Sequence, residues 1–211
     1  MTPIEDAVNA VRRGELIVFP TDTVYGIAAR PDDPSATAKL FEAKSRPRGL
    51  ALPVLVANAE VARTLARFDE RADRLCGLWP GALTMVLLRS DVSRPWGLGG
   101  DADTIGLRVP RHSLAAAVLS AAGPLATTSA NRSSEPPIRT CDDLHEAFGD
   151  SVSVYLCQEE TGRSVSSGTA STVVDLAHGR ARIVRAGGTD LRKIAEFLGD
   201  EVPLLDSPTS R

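Results

Sequence analysis

Lysine is scarce in this chain: of its 24 basic residues, three are Lys (39, 44 and 193) and the other 21 are Arg. On exposed surface the two are often exchangeable, but at bidentate sites they are not, so each Lys draws attention. Aromatic residues make up 4% of the sequence, too few for a surface that reads single-stranded nucleic acid by ring stacking. A net charge of −3 excludes a whole-chain basic footprint for nucleic acid, while a local basic surface stays open. The three cysteines at 76, 141 and 157 fit neither a disulfide framework nor a CxxC metal pattern. They lead us to expect a reducing, cytoplasmic setting and no structural zinc. No apolar run approaches the ~20 residues of a membrane span. The first residues, MTPIEDAVNAVRRG, carry acids and no apolar h-region, which argues against a secretory signal. Hydrolase and metalloprotease signatures of the GxSxG and HExxH kinds are absent, as are a Walker A loop and a GxGxxG after a strand. The histidines at 112, 145 and 178 are far apart, and their pattern puts them on helix or turn surfaces.

What is present describes an ordinary soluble domain. The 211 residues are 43% hydrophobic and 24% charged, enough to bury a substantial core without staples. Thr2-Pro3-Ile4-Glu5 reads as a capping box with Pro at the first helical position. That helix should run to Arg13 and stop at Gly14. Further helices are expected over 34–44, 59–66, 69–78, 113–122, 142–148 and 190–198, with strands over 16–19, 53–57, 83–88, 105–109, 125–128, 152–156, 172–176 and 181–185. His178-Gly179 falls in a hairpin-like turn between the last two strands. Mixed but not strictly alternating elements predict an α/β fold: a single domain with a twisted, mixed parallel/antiparallel sheet flanked by helices. The domain should span 1–206, with 207–211 as a frayed tail. The glycine-rich stretch Ser90 to Asp103 is read as a functional loop inside that domain.

Several segments carry chemistry. Pro20-Thr21-Asp22-Thr23-Val24-Tyr25-Gly26 follows a buried strand directly. Ligands bind at the carboxyl ends of strands in α/β sheets, yet Thr and Asp there equally suit a turn with local backbone bonds. Lys44-Ser45-Arg46-Pro47-Arg48-Gly49 places three cations within five residues at a helix end. They either complement the negative helix terminus or clamp phosphate. Trp79-Pro80-Gly81-Ala82-Leu83-Thr84 reads as a structural joint between helix and strand. Arg108, inside an apolar strand that Thr104 precedes, must be paired. Its partner is either an internal carboxylate or a ligand's carboxylate or phosphate. Thr127-Thr128-Ser129-Ala130-Asn131 puts hydroxyls at another strand's end. Ser164 to Thr172 is rich in Ser, Thr and Gly, with a flexible loop expected over 164–168. Arg185 ends a strand just before Gly187-Gly188.

Taken in order, PTDTVYG, KSRPRG with LPVLV, WPGALT, DTIGLRVP, TTSAN, STVVD and IVRAG, spread over roughly residues 10 to 188, resemble the YrdC-like family of L-threonylcarbamoyladenylate synthases. PTDTVYG, WPGALT and TSAN are the specific parts. The resemblance implies a concave cationic cleft on a twisted mixed sheet. It implies the conversion of ATP, L-threonine and bicarbonate to threonylcarbamoyl-AMP and pyrophosphate. It also implies Mg²⁺ with the ATP, a partner transferase that passes the group to tRNA, and a cytoplasmic location. Direct tRNA or double-stranded RNA contact is a further possibility it raises. By residue, it implies ATP contacts at Lys44, Arg46, Thr104, Ser129 and Arg185, and threonine contacts at Thr23, Arg108, Thr127 and Ser171. No residue is expected as a covalent nucleophile and none as a resident metal ligand.

The chain departs from the family pattern at Gly49-Leu50-Ala51, at Leu55 (a His in some members), at Ser133-Ser134 with Glu135-Pro136-Pro137, and at Gln158 to Gly162. Its length resembles the short, single-domain form. Two other readings stand beside the synthase. One is a relative that binds double-stranded RNA without making the adenylate. The other is an enzyme using carbamoyl phosphate in metallocentre maturation, whose longer, Cys-rich chains this one does not match.

Overall fold

The structure, a computed structural model, describes residues 2–131, 136–157, 167–199 and 204–205. The tail expected over 207–211, and the departures at 133–135 and 158–162, lie outside the described residues. In chain order the elements are α1 (Pro3–Arg12), β1 (Ile17–Phe19), β2 (Gly26–Ala29), α2 (Pro34–Ala43), β3 (Val54–Leu55), α3 (Ala59–Leu65), α4 (Glu70–Leu75), β4 (Leu83–Leu88), β5 (Thr104–Arg108), α5 (Ser113–Ala122), β6 (Leu125–Ser129), α6 (Cys141–Phe148), β7 (Val154–Tyr155), β8 (Thr172–Asp175), β9 (Arg182–Arg185), α7 (Leu191–Leu198) and β10 (Leu204–Leu205). The ten strands form one mixed sheet in the order β10-β9-β8-β4-β5-β3-β6-β2-β1-β7.

Local chemistry sets the helix starts. The Thr2–Glu5 capping box forms, and Asp33, Asn58, Asp69, Thr140 and Asp190 each accept a backbone N–H from the first turn of their helices. The strand β2, Gly-Ile-Ala-Ala, was not expected from sequence, because neither Gly nor Ala favours extended structure. Antiparallel pairing on both sides, with β1 and with β6, makes it a strand regardless of propensity.

Period-two alternation explains why the sheet has two unlike faces. Ile27, Val54, Leu83, Met85, Ile105, Leu107, Ala126, Val174 and Ile183 point to one face and share a core with residues of α2, α3, α4 and α7. On the opposite face, Ile17, Phe19, Ala28, Leu55 and Leu125 pack beneath α1 and α5. Further along that face the strands carry Thr84, Arg108, Thr127 and Ser129, and this part forms a cleft. The 90–103 stretch belongs to the domain, as expected: buried Arg89 donates to the carbonyls of Thr104, Ser93 and Trp96 at 2.7, 3.1 and 2.8 Å and so shapes it.

Two cysteine and histidine expectations are overturned. Cys141 and Cys157 form a disulfide, their Cα atoms 5.8 Å apart, while Cys76 is a free thiol. A separation of 16 residues matches no spacing pattern, and the pair meets because β7 runs back beside the start of α6. The cysteines therefore give no argument for a reducing compartment. Closing a loop of this size should contribute roughly 3 kcal/mol by constraining the unfolded chain. Cys157→Ser, or reduction by a dithiol, should then lower the melting temperature by several degrees, a shift that calorimetry under both conditions would detect. His112, expected at the surface, is buried and caps α5, its Nδ1 accepting the N–H of Ala115 at 3.4 Å.

His178 does sit in the β8–β9 turn, half exposed, and it bridges two carboxylates: Nδ1 to Asp175 at 2.8 Å and Nε2 to Asp101 at 3.2 Å. Arg182 also donates to Asp175, at 2.9 Å. The bond to Asp175 and then that group's charge, with a smaller part from Asp101, raise the His178 pKa. Burial opposes the charge on Asp175, but the bonds from Arg182 and His178 outweigh it and leave its pKa lowered. The His178 contribution is thus fully present below the unfolded value of about 6.5. It is lost as pH rises through the raised folded value. The gap in melting temperature between wild type and His178→Ala should be wider at about pH 6 than at about pH 8.5. A gap of equal width at both would contradict the clamp.

Candidate active site

The cleft on the half-covered face is lined by the β1–β2 turn (Thr21, Thr23, Val24, Tyr25), by Arg46, by Pro53 and Leu55, by Thr84, by Arg108, by Thr127 to Ser129, and by Ala170, Ser171 and Arg185. It is half open to solvent, with a volume of about 160 Å³. With Gly26 of β2 also on its wall, six strands contribute to one concavity, and their rigidity fixes the polar groups before anything binds.

The PTDT turn is built by its own hydroxyl. Thr21 Oγ1 donates to Val24 O at 2.6 Å and accepts the N–H groups of Thr23 and Val24 at 3.2 Å each. The local-turn reading is therefore correct, and it is also what delivers Thr23 to the cleft. Gly26, at the turn's exit, has no room for a side chain: a Cβ there would stand 2.7 Å from Thr127 Cγ2. The turn is covered by residues 167–168, whose N–H groups donate to Asp22 O at 3.1 Å and Thr23 O at 2.9 Å. Of the loop expected over 164–168, positions 164–166 lie outside the described residues, and 167–168 are docked.

Arg108 ends β5 with its guanidinium held on three sides. Nε donates to Gly81 O at 2.9 Å, Nη1 to Thr23 Oγ1 at 2.8 Å and Nη2 to Asp22 Oδ1 at 2.6 Å. The internal-carboxylate alternative for its partner is thus realised in Asp22. Three of the five N–H groups are used, so two have no acceptor among the described residues. Burial lowers the Arg108 pKa, the Asp22 carboxylate opposes that, and Arg185 adds to the lowering.

Arg185 and Arg46 complete a cationic wall. Arg185 donates to Ser171 O at 3.0 Å and Ser171 Oγ at 3.2 Å, and Ser171 Oγ lies 2.8 Å from Thr84 Oγ1. Arg46 donates to the carbonyls of Leu50 and Ala51 at 3.2 and 2.9 Å. Burial lowers the pKa of both, and for Arg46 the charge of Arg185 adds to it. Neither has a carboxylate partner among the described residues. Two like charges in one half-buried cleft repel, and an anion between them would relieve both.

Of the nine residues named from sequence, seven meet in the cleft: Thr23, Arg46, Arg108, Thr127, Ser129, Ser171 and Arg185. The other two do not line it. Lys44 ends α2 and points inward, and Ser45 after it has a φ of 47°, in the left-handed region. The Lys44 ammonium lies buried, donating to Ser129 O at 2.8 Å, to Asn131 Oδ1 at 3.2 Å and to the Asn131 carbonyl. It staples α2 to the end of β6. Thr104 opens β5, four residues before Arg108, roughly 13 Å away along an extended strand, with its carbonyl on Arg89. Sequence reasoning missed Thr84, in a segment read as a structural joint, and gave Asp22 no role of its own within a segment read either as a turn or as a ligand-binding strand end. Its pairing with Arg108 spans 86 residues.

No cluster of His, Cys, Asp and Glu suited to hold a metal occurs among the described residues. The cleft's hydroxyls and guanidiniums suit anionic oxygen, and its nearest carboxylate is already taken by Arg108. The fold and cleft accordingly define an α/β protein whose candidate site is cationic, with Arg46, Arg108 and Arg185 on one concavity.

Comparison with known proteins narrows this class. The model of the Sua5_yciO_yrdC family, which carries the description "Telomere recombination", matches residues 9–187. A Mycobacterium leprae protein is 40% identical over 93% of this chain and 88% of its own length. The threonylcarbamoyl-AMP synthase of Vibrio campbellii is 34% identical over 79% of this chain and 92% of its own length. Among solved structures, P. abyssi Sua5 complexed with L-threonine superposes with a TM-score of 0.83 at 32% identity, covering 95% of this chain. This chain spans 58% of that protein's length. E. coli YciO follows at a TM-score of 0.81 and 25% identity, with 90% and 92% of the two chains covered. The chain belongs to the Sua5/YciO/YrdC family.

Proposed function

We propose that the chain is a threonylcarbamoyl-AMP synthase, which makes threonylcarbamoyl-AMP and pyrophosphate from ATP, L-threonine and bicarbonate. The observation that carries this reading is the pairing of one carboxylate-type arginine site, Arg108, with two arginines that lack a carboxylate, Arg46 and Arg185, in one cleft. L-Threonine would place its carboxylate on the two remaining N–H groups of Arg108, a rigid fork suited to a bidentate acceptor. Thr23, Thr127 and Ser171 would surround the rest of the amino acid. The triphosphate would lie against Arg46, Arg185 and Ser129. Lys44 would support this site through Ser129 and Asn131 rather than touch phosphate, and no direct nucleotide contact is drawn for Thr104.

The chemistry asks little of the protein beyond position and charge. The amine of threonine and bicarbonate give a carbamate and water. A carbamate oxygen then attacks the α-phosphorus, and pyrophosphate leaves with the bond pair. The substrate supplies the nucleophile, so a cleft with no catalytic Cys or His is sufficient. Arginines aimed at the developing charge supply transition-state stabilisation. Mg²⁺ would arrive with the ATP phosphates and keep several waters. A transferase would then carry the group to tRNA, a role that would suit a cytoplasmic protein. No helix among the described residues is long and apolar enough to cross a membrane. The net charge of −3 argues against double-stranded RNA binding without adenylate synthesis, because phosphate contacts dominate RNA affinity. Mass-spectrometric detection of threonylcarbamoyl-AMP after incubation with the three substrates tests the proposal. Absence of that product from folded protein would refute it.

A further inference from the structure

We propose that Asp22 is a positioning residue that reserves Arg108 for a monocarboxylate and keeps it from the phosphates of the nucleotide. The proposal rests on the synthase reading above. Three guanidiniums border the cleft, and among the described residues Arg108 alone has a carboxylate partner. Asp22 Oδ1 receives Arg108 Nη2 at 2.6 Å and the backbone N–H of Arg111 at 3.0 Å. The carboxylate is therefore anchored from the segment beyond β5 as well as from its own turn. Its side chain is 16% exposed against 7% for Arg108, so the pair is shielded from water, where its charge counts most. With Gly81 O on Nε and Thr23 Oγ1 on Nη1, the guanidinium plane is fixed before a ligand arrives.

That arrangement treats the two anionic substrates differently. A triphosphate carries several charges and is drawn to cations without counter-ions, which here are Arg46 and Arg185. Arg108 is already neutralised by Asp22, so it offers an additional anion geometry rather than net charge. A carboxylate gains most from two pre-aimed N–H groups. A phosphate chain gains less there, and Asp22 repels its further negative oxygens. Asp22 thus sorts the two substrates without touching either, which is specificity by an adverse element as well as a favourable one. Asp22 does not line the cleft, in keeping with a role exerted through Arg108.

Calorimetric titration of the full chain with L-threonine, alone and with excess pyrophosphate, tests this. Wild type should bind L-threonine, and pyrophosphate should change that affinity by less than about twofold. Asp22→Asn keeps the shape and an acceptor for the Arg111 N–H, but removes the charge. Without that anchor the guanidinium plane is no longer held; loss of the pre-aimed fork should outweigh the freed charge and weaken L-threonine binding at least about tenfold, and pyrophosphate should now compete with L-threonine. Asp22→Glu retains the charge one methylene further out, and its loss of affinity should be intermediate. It decides the question by the same criterion if Asp22→Asn fails to fold. L-threonine affinity within twofold of wild type in the folded variants would overturn the proposal for Asp22 alone. A wild type that does not bind L-threonine would overturn the synthase reading and this proposal with it.

Discussion

Replacing Arg108 with alanine should reduce kcat/KM for L-threonine by an amount equivalent to roughly 2–5 kcal/mol, the range for truncating one member of a buried, hydrogen-bonded charge pair at an interface. The loss should fall on threonine and much less on ATP, because the two arginines that face the nucleotide in the proposed pose, Arg46 and Arg185, are untouched. Stability should drop as well, since Asp22 would be left with only the backbone N–H of Arg111. Arg108→Lys should not restore activity. A single ammonium on a longer lever cannot satisfy Gly81 O, Thr23 Oγ1 and Asp22 together and still present a fork. Steady-state kinetics with each substrate varied in turn reads this directly. A folded Arg108→Ala protein with unchanged threonine dependence would remove Arg108 from the site.

Lys44→Ala should act first on stability. Its ammonium holds the Ser129 carbonyl and both oxygens of Asn131 in a buried setting. Charge-assisted bonds contribute about 1.5–3 kcal/mol each, and buried acceptors left unpaired add to the loss. A destabilisation of about 3 kcal/mol or more follows, roughly 6–12 °C in melting temperature for a domain of this size. Lys39→Ala is the internal comparison. That side chain makes one bond, to Gly14 O at 2.9 Å, from an exposed position, and its removal should shift stability by no more than about 0.5 kcal/mol. If Lys44→Ala melts with wild type and loses only ATP affinity, Lys44 reaches the phosphates and the inward placement does not describe the working enzyme.

The contrast between these two lysines shows what the sequence could carry. Scarcity marked Lys44 as unusual, and the KSRPRG segment marked it as cationic, but neither shows which way a side chain turns. That direction goes with its acceptors, the Ser129 carbonyl and the oxygens of Asn131, which packing brings to it from 85 and 87 residues away. The mixed sheet, most helix starts and the gathering of polar strand ends were legible because they follow from local rules: capping side chains, period-two alternation and hydroxyls at strand termini. β2 was not legible, since Gly-Ile-Ala-Ala becomes a strand only through its two neighbours. The same holds for the Asp22–Arg108 pair, the Thr84–Ser171 contact and the Cys141–Cys157 bond. Each joins segments whose proximity exists only in three dimensions, and no spacing rule covers separations set by tertiary packing. Thr104 was assigned to the nucleotide by resemblance alone; it opens β5, at the far end of that strand from Arg108, and does not line the cleft.

The measurement that bears most directly on the account is pyrophosphate release from Mg²⁺–ATP in bicarbonate buffer, with and without L-threonine. Release that depends on L-threonine, and that is lost in Arg108→Ala while the protein stays folded, is the expected result. Release at the same rate without L-threonine, or none from folded wild type, would contradict a cleft built to join an amino acid to a nucleotide.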